Sequence, residues 1–286
     1  MSVRTDLALE RLELASDNLP NGTKKSQRLE GDIKITTIEI LSSEASDIVG
    51  KPIGKYSTIE VTDFKTAPID FEKQVTIISN EFSSYLPKIT STALIVGLGN
   101  NDITPDALGP RVISYTLATR HILNGVSSSN GLNSLQSVSA IAPGVLGQTG
   151  IETSQIIRSI CNEIKPSCVI VIDALASKSI SRLGRTIQIS NTGISPGSGV
   201  QNSRSELSKK TLGVPVVCVG VPTVVDMATI AKDILGVGET ENGENMMVTP
   251  REIDLVIEHA AKTVAFSVNL ALQPSLSLQD LVALAC

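Results

Sequence analysis

Three runs of branched apolar residues constrain the fold of this chain more than any other feature of its sequence. They occupy residues 92–98, 168–172 and 214–221, and none of them alternates regularly with polar residues. Such runs are typical of strands buried on both faces of a parallel sheet. Segments of helix length, at about residues 106–123 and 152–164, lie between the first two runs. This alternation predicts an α/β fold with a mixed, mostly parallel central sheet and helices on both faces.

The first third of the chain has a different pattern. Residues 33–40 and 56–61 alternate β-branched and polar side chains, which predicts a small antiparallel N-terminal β element beside the main sheet. Residues 67–90 are predicted to form a lead-in helix. Residues 1 to about 35 are polar and contain turn formers, so we expect an exposed arm.

Two threonines in the second half are predicted to begin helices. Thr223 is expected to cap a helix that ends near Leu235, and Thr249 to cap one over residues 250–272. Between the buried runs, residues 186–190 alternate and are predicted to form a more exposed strand.

The charge and composition exclude several classes of partner. The net charge is -5, from 24 basic and 29 acidic residues, so no field would gather nucleic acid or an anionic membrane. Aromatic residues make up only 2% of the chain and Trp is absent, so stacking on bases is not expected. The amino terminus has no apolar signal region, and no segment reaches ~18 uninterrupted apolar residues. Proteins or small molecules are the expected partners.

The cysteines indicate a reducing compartment. Cys161, Cys168, Cys218 and Cys286 lie in or beside apolar runs or at the end of the chain, without CxxC spacing. They are therefore interpreted as reduced packing residues of a cytoplasmic protein.

Two aspartates are the strongest candidates for catalysis. Asp106 follows the first apolar run and its glycine-rich turn, and Asp173 ends the second run. The carboxyl ends of parallel strands meet at one edge of a sheet, so the two side chains are expected to share a cleft. A carboxylate next to such an apolar run is costly to desolvate. We therefore predict an acid and base pair that activates water, with Asp106 as base and Asp173 as acid.

Other roles for these carboxylates stay open. Asp106 also suits a helix cap after Pro105. Glu152 would complete a carboxylate-rich metal site with the two aspartates, although the only histidines, His121 and His259, form no HxxxH pair. No metal or other cofactor is predicted.

The glycine-rich and serine-rich segments support weaker hypotheses. Gly97 and Gly99 invite a nucleotide-binding interpretation, but the third glycine of that fingerprint is missing and Asp106 would repel a phosphate. The loop at residues 193–200 is interpreted either as a connector or as a lip that binds substrate. Its Ser198 lacks a plausible histidine partner for nucleophilic catalysis.

Six motifs occur together in the order typical of one protein family. They are Gly-Leu-Gly-Asn, Thr-Pro-Asp-Ala-Leu-Gly-Pro, Pro-Gly-Val-Leu-Gly-Gln-Thr-Gly-Ile-Glu-Thr, Ile-Asp-Ala-Leu-Ala, Gly-Ile-Ser-Pro-Gly-Ser-Gly-Val and Val-Pro-Thr-Val-Val-Asp. This combination resembles the germination proteases of spore-forming bacteria. The resemblance implies a fold similar to hydrogenase-maturation proteases, and an endopeptidase that degrades small acid-soluble spore proteins in the spore core during germination.

The resemblance also implies residue roles. It transfers the catalytic pair of an atypical aspartic peptidase to Asp106 and Asp173, and it implies a homotetramer made as a self-cleaving zymogen. The sequence Arg-Thr-Asp-Leu-Ala looks like the family's processing site, which predicts cleavage between Asp6 and Leu7. Residues 1–6 would then be a propeptide, residues 7–90 an amino-terminal segment and residues 91–286 the catalytic core. Four further residues are predicted to bind substrate or support the pair: Asn100, Thr104, Glu152 and Ser198.

Two alternatives are retained. One is a protease of the hydrogenase-maturation type, in which the carboxylates recognise a metal held by the substrate. The other is a non-catalytic α/β binding protein, in which Asp106 caps a helix and Asp173 is structural.

Overall fold

A computed structural model describes residues 4–15, 18–125, 134–195, 197, 205–235 and 246–285. Ser198, most of the loop after residue 195 and residues 236–245 lie outside this described part of the chain. The strands are β1 (Thr23–Glu30), β2 (Ile33–Ile40), β3 (Gly54–Glu60), β4 (Ala93–Gly97), β5 (Val138–Ile141), β6 (Cys168–Ser177), β7 (Thr186–Ser190), β8 (Val216–Asp226) and β9 (Met247–Val248).

The helices of the described residues connect and cover these strands. They are α1 (Ala8–Ala15), α2 (Ser43–Val49), α3 (Phe71–Ser83), α4 (Leu108–Ser114), α5 (Arg120–Gly125), α6 (Leu146–Thr149), α7 (Thr153–Ile164), α8 (Lys209–Leu212), α9 (Met227–Leu235), α10 (Ile253–Leu272) and α11 (Leu278–Ala285), with 3-10 turns at Thr104–Asp106 and Ile180–Arg182.

All the described strands belong to one sheet. Its order is β1-β2-β3-β7-β8-β6-β4-β5, and β9 pairs with β8. The β8-β6-β4-β5 block is parallel, whereas the pairs outside it are antiparallel. The predicted mixed α/β class is confirmed, and the predicted antiparallel N-terminal element is β2 and β3, which extend the same sheet through β7.

Helices cover both faces of the parallel block because its strands are apolar on both sides. Ile170 and Ile172 of β6 pack in the cluster formed with α3, α4 and α10. Val169 and Val171 face the other way and pack in the cluster formed with α7 and α8. This alternation along an uninterrupted apolar run is the pattern of a strand buried on both faces.

Helix α10 is the one helix of the described residues that is long and apolar enough to cross a membrane. An 18-residue window of this 20-residue helix has a mean hydropathy of 1.3, but 67% of that window is buried inside the fold. Val256, Ala260 and Val264 contribute to the same core cluster as α3 and α4. The helix therefore has the burial of a core helix in a folded domain.

The prediction of an exposed arm over residues 1 to about 35 is wrong for the part that the structure describes, residues 4–15 and 18–35. Leu7 and Ala8 are fully buried, and Leu9 and Leu12 of α1 pack with β2, β3 and α2. The second half of the supposed arm forms β1, which pairs along its whole length with β2. Only Thr23 of β1 is buried, so no alternating pattern marked it as a strand.

Several predicted helix ends also need correction. The predicted helix over residues 106–123 is a 3-10 turn followed by the separate helices α4 and α5. Thr223 lies within β8, and Asp226 accepts hydrogen bonds from the amide and hydroxyl of Thr229 in the first turn of α9. Thr249 donates to the Thr223 carbonyl instead of capping α10. Strand β7, predicted to be more exposed, is buried between β3 and β8.

Candidate active site

The sheet register places Asp173 at the carboxyl-end edge of the parallel block. Strand β4 ends at Gly97, which pairs with Ile172, whereas β6 continues beside β8 as far as Ser177. Asp173 is therefore the first residue of β6 beyond the end of β4. Its side chain is only 6% exposed, and Oδ1 accepts a hydrogen bond from the amide of Ala174 at 3.0 Å.

Asp106 reaches the same edge through the connection from β4 to α4. It ends the 3-10 turn, and α4 begins after Ala107, which occupies the cap position without a side-chain bond. The carboxylate Oδ2 of Asp106 instead accepts the amide of Asn100 at 2.8 Å. Asp106 is therefore not a helix cap, and its side chain is held by the turn after β4.

Gly99 explains why the turn after β4 is rich in glycine. Its φ is +113°, and a Cβ at this position would lie 1.9 Å from the carbonyl oxygen of Asp106. The main chain of Asp106 packs directly on Gly99, so the glycine is needed for a close approach of backbone to backbone. The pattern that invited a nucleotide-binding interpretation is accounted for by this packing.

A cavity of about 410 Å³ brings three carboxylates together. Asp6, Asp106 and Asp173 all line it, and its remaining walls come from residues within 98–105, 144–153, 174–176, 223–224 and 247–249, together with Gly197. All six sequence motifs thus contribute residues to one cleft. The predicted processing residue and the predicted catalytic pair line the same cavity.

Burial raises the pKa of both catalytic candidates. The pKa of Asp173 lies well above its ordinary value because the carboxyl is desolvated, and the nearby charges of Asp106 and then Asp6 add to this effect. The pKa of Asp106 is raised by desolvation and partly lowered by the Asn100 amide. Of the two carboxyls, Asp173 is the more deeply buried.

The segment before α1 lies across this edge, beside the end of β6. The amide of Asp6 donates to the Ala176 carbonyl at 2.8 Å, and the amide of Ala176 donates to Oδ2 of Asp6 at 2.9 Å. The carboxamide of Gln188 binds on both sides of the Asp6–Leu7 bond. Its Nε2 donates to the carbonyl oxygen of Asp6 at 3.2 Å, and its Oε1 accepts the amide of Ala8 at 2.6 Å.

Gln188 and Asp173 stand in one row across the sheet. Both pair with Gly220 of β8, from β7 on one side and from β6 on the other. Residues paired in this way lie on the same face, and two strand spacings separate their main chains by about 10 Å. Gly220 has no side chain, and the space that a Cβ would take there is filled by Leu175, whose nearest side-chain atoms would lie 2.6 Å from it. The side chain of Leu175 therefore packs over Gly220, the middle residue of this row.

Two buried ion pairs hold the segment on either side of the Asp6–Leu7 bond. Before it, Nη1 of Arg4 lies 3.2 Å from Oδ1 of Asp226. After it, the fully buried carboxylate of Glu10 accepts Nη1 of Arg182 at 2.9 Å. Glu10 also accepts the amides of residues 178 and 179, at 2.5 and 3.1 Å. The Asp6–Leu7 peptide bond is therefore held in position by contacts to β8 on one side and to the segment after β6 on the other.

A second cavity, of about 230 Å³, lies on the other side of Asp6. Lys51 and Cys218 are among the residues that line it. Burial lowers the pKa of Lys51, and the negative charge of Asp6 partly offsets this change. Burial raises the pKa of the Cys218 thiol to about 12, so the thiol is protonated and unsuited to act as a nucleophile.

The supporting residues predicted from sequence have mixed outcomes. The amide of Asn100 holds Asp106, while its side chain accepts Nε2 of Gln148 at 2.8 Å. Thr104 and Glu152 do not line the cavity with the two aspartates, although Thr153 does. Within the described residues, no His, Cys, Asp and Glu side chains form a group of three suited to hold a metal ion.

Sequence reasoning missed three residues of the site. Gln188 lies in a strand predicted to be more exposed, Asp226 lies at the end of the Val-Pro-Thr-Val-Val-Asp motif, and Gly99 was considered only for phosphate binding. A buried polar residue at the centre of β7 was the available signal for Gln188. Nothing local pointed to Asp226, whose partner Arg4 is more than two hundred residues away.

Desolvated carboxylates at the carboxyl-end edge of an α/β sheet, with a peptide segment lying across them, are the features of a peptide-bond hydrolase. Comparison with known proteins agrees with this class. The germination protease family model matches residues 6–237. The germination protease of Caldanaerobacter subterraneus subsp. tengcongensis is 41% identical over 316 aligned positions, covering 98% of this chain and 97% of the relative. The chain belongs to the germination protease family; it is a peptidase, and an endopeptidase of spore germination.

Other relatives and one solved structure are also similar. The Clostridium tetani germination protease is 40% identical, with 98% of each chain covered, and that of Bacillus velezensis is 38% identical, with 96% of this chain and 94% of the relative covered. The crystal structure of the NiFe hydrogenase maturation protease HycI from Thermococcus kodakarensis matches with a TM-score of 0.34 and 16% identity. That match covers 65% of this chain and 97% of the other.

Proposed function

We propose that this endopeptidase cleaves its own Asp6–Leu7 bond and then cleaves protein substrates in the same cleft, using Asp106 and Asp173 to activate water. One observation carries the proposal: Asp6 lines the cavity that Asp106 and Asp173 share. A chain that retains residues before Leu7 thus has its own segment in the position of a substrate. Residues up to Asp6 act as a propeptide, and the chain that contains them is the zymogen.

In the proposed chemistry the two carboxyls hold one proton, which Asp173 carries at the start while Asp106 is ionised. Asp106 takes a proton from a water molecule whose oxygen attacks the carbonyl carbon of Asp6. Asp173 gives its proton to the nitrogen of Leu7 as the C–N bond breaks, which leaves a carboxyl group on Asp6 and an amine on Leu7. Proton transfer from Asp106 back to Asp173 restores the pair. The stronger rise in the pKa of Asp173 supports its assignment as the acid.

Gln188 supplies the third part of the proposed mechanism. Its Nε2 already donates to the carbonyl oxygen of Asp6, the atom on which negative charge develops when water adds. A fixed donor aimed at that oxygen stabilises the charge, and loss of one such donor costs ~10²–10³ in kcat in proteases. The bond from Ala8 to Oε1 fixes the carboxamide in this orientation.

Membership of the family supports the remaining proposals. We infer that the protein substrates are small acid-soluble spore proteins, that the enzyme acts in the cytoplasm of the spore core, and that it assembles as a homotetramer. Light scattering tests the last of these directly, and a particle mass of four times 30.1 kDa is expected. Hydrolysis of acid-soluble spore protein tests the first.

The experiment that tests the function follows self-cleavage and substrate cleavage in aspartate variants. Full-length chains carrying Asp106→Asn or Asp173→Asn are incubated beside the unmodified chain, and intact mass reports loss of the residues before Leu7. We expect either substitution to slow self-cleavage by at least ~10²-fold, because Asn neither accepts nor gives the proton. The same variants in a chain that begins at Leu7 are tested on an acid-soluble spore protein.

Asp102→Asn is the matched control, since Asp102 is exposed in the same turn and bonded to Gln148. It should leave both rates unchanged. Gln188→Met should slow cleavage without abolishing it. Cleavage by the Asp106 and Asp173 variants at the rate of the unmodified chain would overturn the aspartate mechanism. Loss of activity on adding a chelator would instead favour the alternative in which the carboxylates recognise a metal.

A further inference from the structure

The ion pair between Arg4 and Asp226 is the most deeply buried in the described part of the chain. The two side chains are 8% and 6% exposed, and Nη1 of Arg4 lies 3.2 Å from Oδ1 of Asp226. Burial of two charges costs more than their attraction returns unless their geometry and further hydrogen bonds compensate. Such a pair therefore requires an explanation beyond general stability.

The position of Arg4 relative to the predicted cut suggests that explanation. Arg4 lies two residues before Asp6, on the side of the bond that leaves when the Asp6–Leu7 bond is cut. Asp226 ends β8, close to Thr223 and Val224, which line the cavity with the catalytic aspartates. Cleavage and release of the segment thus remove the cation, Arg4, while the carboxylate of Asp226 stays in the protein.

The carboxylate of Asp226 is also held by contacts that do not involve Arg4. Its Oδ2 accepts the amide and the hydroxyl of Thr229, both at 3.0 Å, at the start of α9. Oδ1 is the oxygen that faces Arg4. The group therefore has one oxygen committed to the fold and one directed at whatever occupies the position of Arg4.

We propose that Asp226 is a specificity-determining residue. It binds an Arg or Lys side chain of a protein substrate, two residues before the residue that supplies the carbonyl group of the cleaved bond. The inference rests on the proposed function, in which Asp6 and substrates occupy one site. A basic side chain restores the charge partner that the carboxylate loses with Arg4. A neutral side chain leaves a buried carboxylate without its cation, and an acidic one repels it.

The experiment measures cleavage of peptides by a chain that begins at Leu7. The parent peptide has the sequence of residues 3–10, Val-Arg-Thr-Asp-Leu-Ala-Leu-Glu, and its variants carry Arg4→Lys, Arg4→Gln or Arg4→Glu. We expect kcat/KM to fall by about 30-fold or more from the Arg peptide to the Gln peptide, and further with Glu. The Lys peptide should be cleaved nearly as well as the Arg peptide.

Asp226→Asn in the enzyme should remove this preference. Asn keeps an acceptor for the cap of α9, so the fold is retained while the charge is lost. The Arg and Gln peptides should then be cleaved at similar rates. Asp70→Asn is the matched control, because Asp70 also caps a helix, accepting the amide of Lys73 at 3.0 Å on the exposed surface. It should leave the preference of the enzyme intact.

A binding measurement separates failure of the subsite from failure of the chemistry. Calorimetry follows binding of the hexapeptide of residues 1–6, with and without Arg4→Gln, to Leu7-start chains with either Asp or Asn at position 226. We expect Arg4→Gln to weaken binding at least 10-fold only when Asp226 is present.

The outcomes are distinct. Cleavage of all peptides at equal rates overturns the role of Asp226 and leaves the protease intact. Binding that depends on both Arg4 and Asp226, without any cleavage, supports the subsite and contradicts the proposed chemistry. If no peptide is cleaved and binding does not depend on charge, both proposals are overturned.

Discussion

Asp173 carries a carboxyl group in a position where an ionised group is strongly disfavoured. Below the ordinary pKa of aspartate, the folded and unfolded chains both hold this proton, and the group costs no stability. Between that pKa and the raised pKa of folded Asp173, only the unfolded chain releases the proton, so stability falls as the pH rises through this window. The buried carboxyl of Asp173 thus weakens the fold near neutral pH.

Asp173→Asn should therefore stabilise the protein. In chains that begin at Leu7, we expect the variant to melt about 2 °C or more above the unmodified protein at neutral pH, because Asn has no proton to lose. The difference should shrink as the pH falls towards the ordinary pKa of aspartate. Differential scanning calorimetry over this pH range measures it, and Asp102→Asn serves as control. A variant that is less stable at neutral pH would contradict the assignment.

Gly99 and Gly147 offer a matched pair of glycine substitutions. Gly99→Ala adds a Cβ 1.9 Å from the backbone of Asp106 at a φ of +113°, so the turn that holds the Asp106 carboxylate must shift. We expect a loss of more than ~1 kcal/mol in the free energy of unfolding, together with reduced cleavage. Gly147→Ala meets nothing within 4 Å and lies in helix α6, so it should be neutral or slightly stabilising. Urea unfolding compares the two, and equal losses would refute the packing argument.

At the scale of elements, the sequence pattern predicted the strands whose conformation depends on burial. It missed the strand whose conformation depends on pairing with a neighbour. The apolar runs that became β4, β6 and β8 owe their form to burial on two faces, and this is visible in their own residues. Strand β1 is exposed along six of its eight positions, so its conformation depends on pairing with β2. The periodicity of the β1 residues does not reveal that β2 is their partner.

The amino-terminal segment shows the same limit over a longer distance. Its anchors, Ala176 for Asp6 and Arg182 for Glu10, come from segments about 170 residues further along the chain. The two aspartates were predictable because strand ends gather at one edge of any parallel sheet. Gln188 was not, since its role appears only when β7 lies beside β8 and the segment crosses both.

Helix α1 should depend on one of its two acidic anchors far more than on the other. Glu10 is fully buried and binds the amides of residues 178 and 179, whereas the Glu13 side chain is 41% exposed and shares Arg182. Glu10→Ala leaves these buried groups without an acceptor, so we expect a loss of about 3 kcal/mol or more in stability. Glu13→Ala should cost less than ~1 kcal/mol. Denaturant titration measures both, and similar costs would show that the buried contacts do not anchor α1.

At the scale of the whole molecule, the proposed self-cleavage is an intramolecular reaction. The Asp6–Leu7 bond lies against the cleft of its own chain, so no second molecule has to deliver it. We therefore expect the fraction of processed chain to follow first-order kinetics, with a rate constant that stays unchanged over a wide range of protein concentration. Intact mass against time measures this rate. A rate constant that increases in proportion to concentration would indicate cleavage of one chain by another.

The segment held by the Arg4 and Glu10 anchors competes with other proteins for the cleft. A segment joined covalently to its binding site acts at an effective concentration of the order of millimolar, because it never diffuses away. A free protein of equal intrinsic affinity, present at micromolar concentration, would occupy the cleft of the uncut chain only about one time in a thousand. Under the proposed self-cleavage, dissociation of the cut segment from Asp226, and not the cut alone, determines when the cleft becomes available to other proteins.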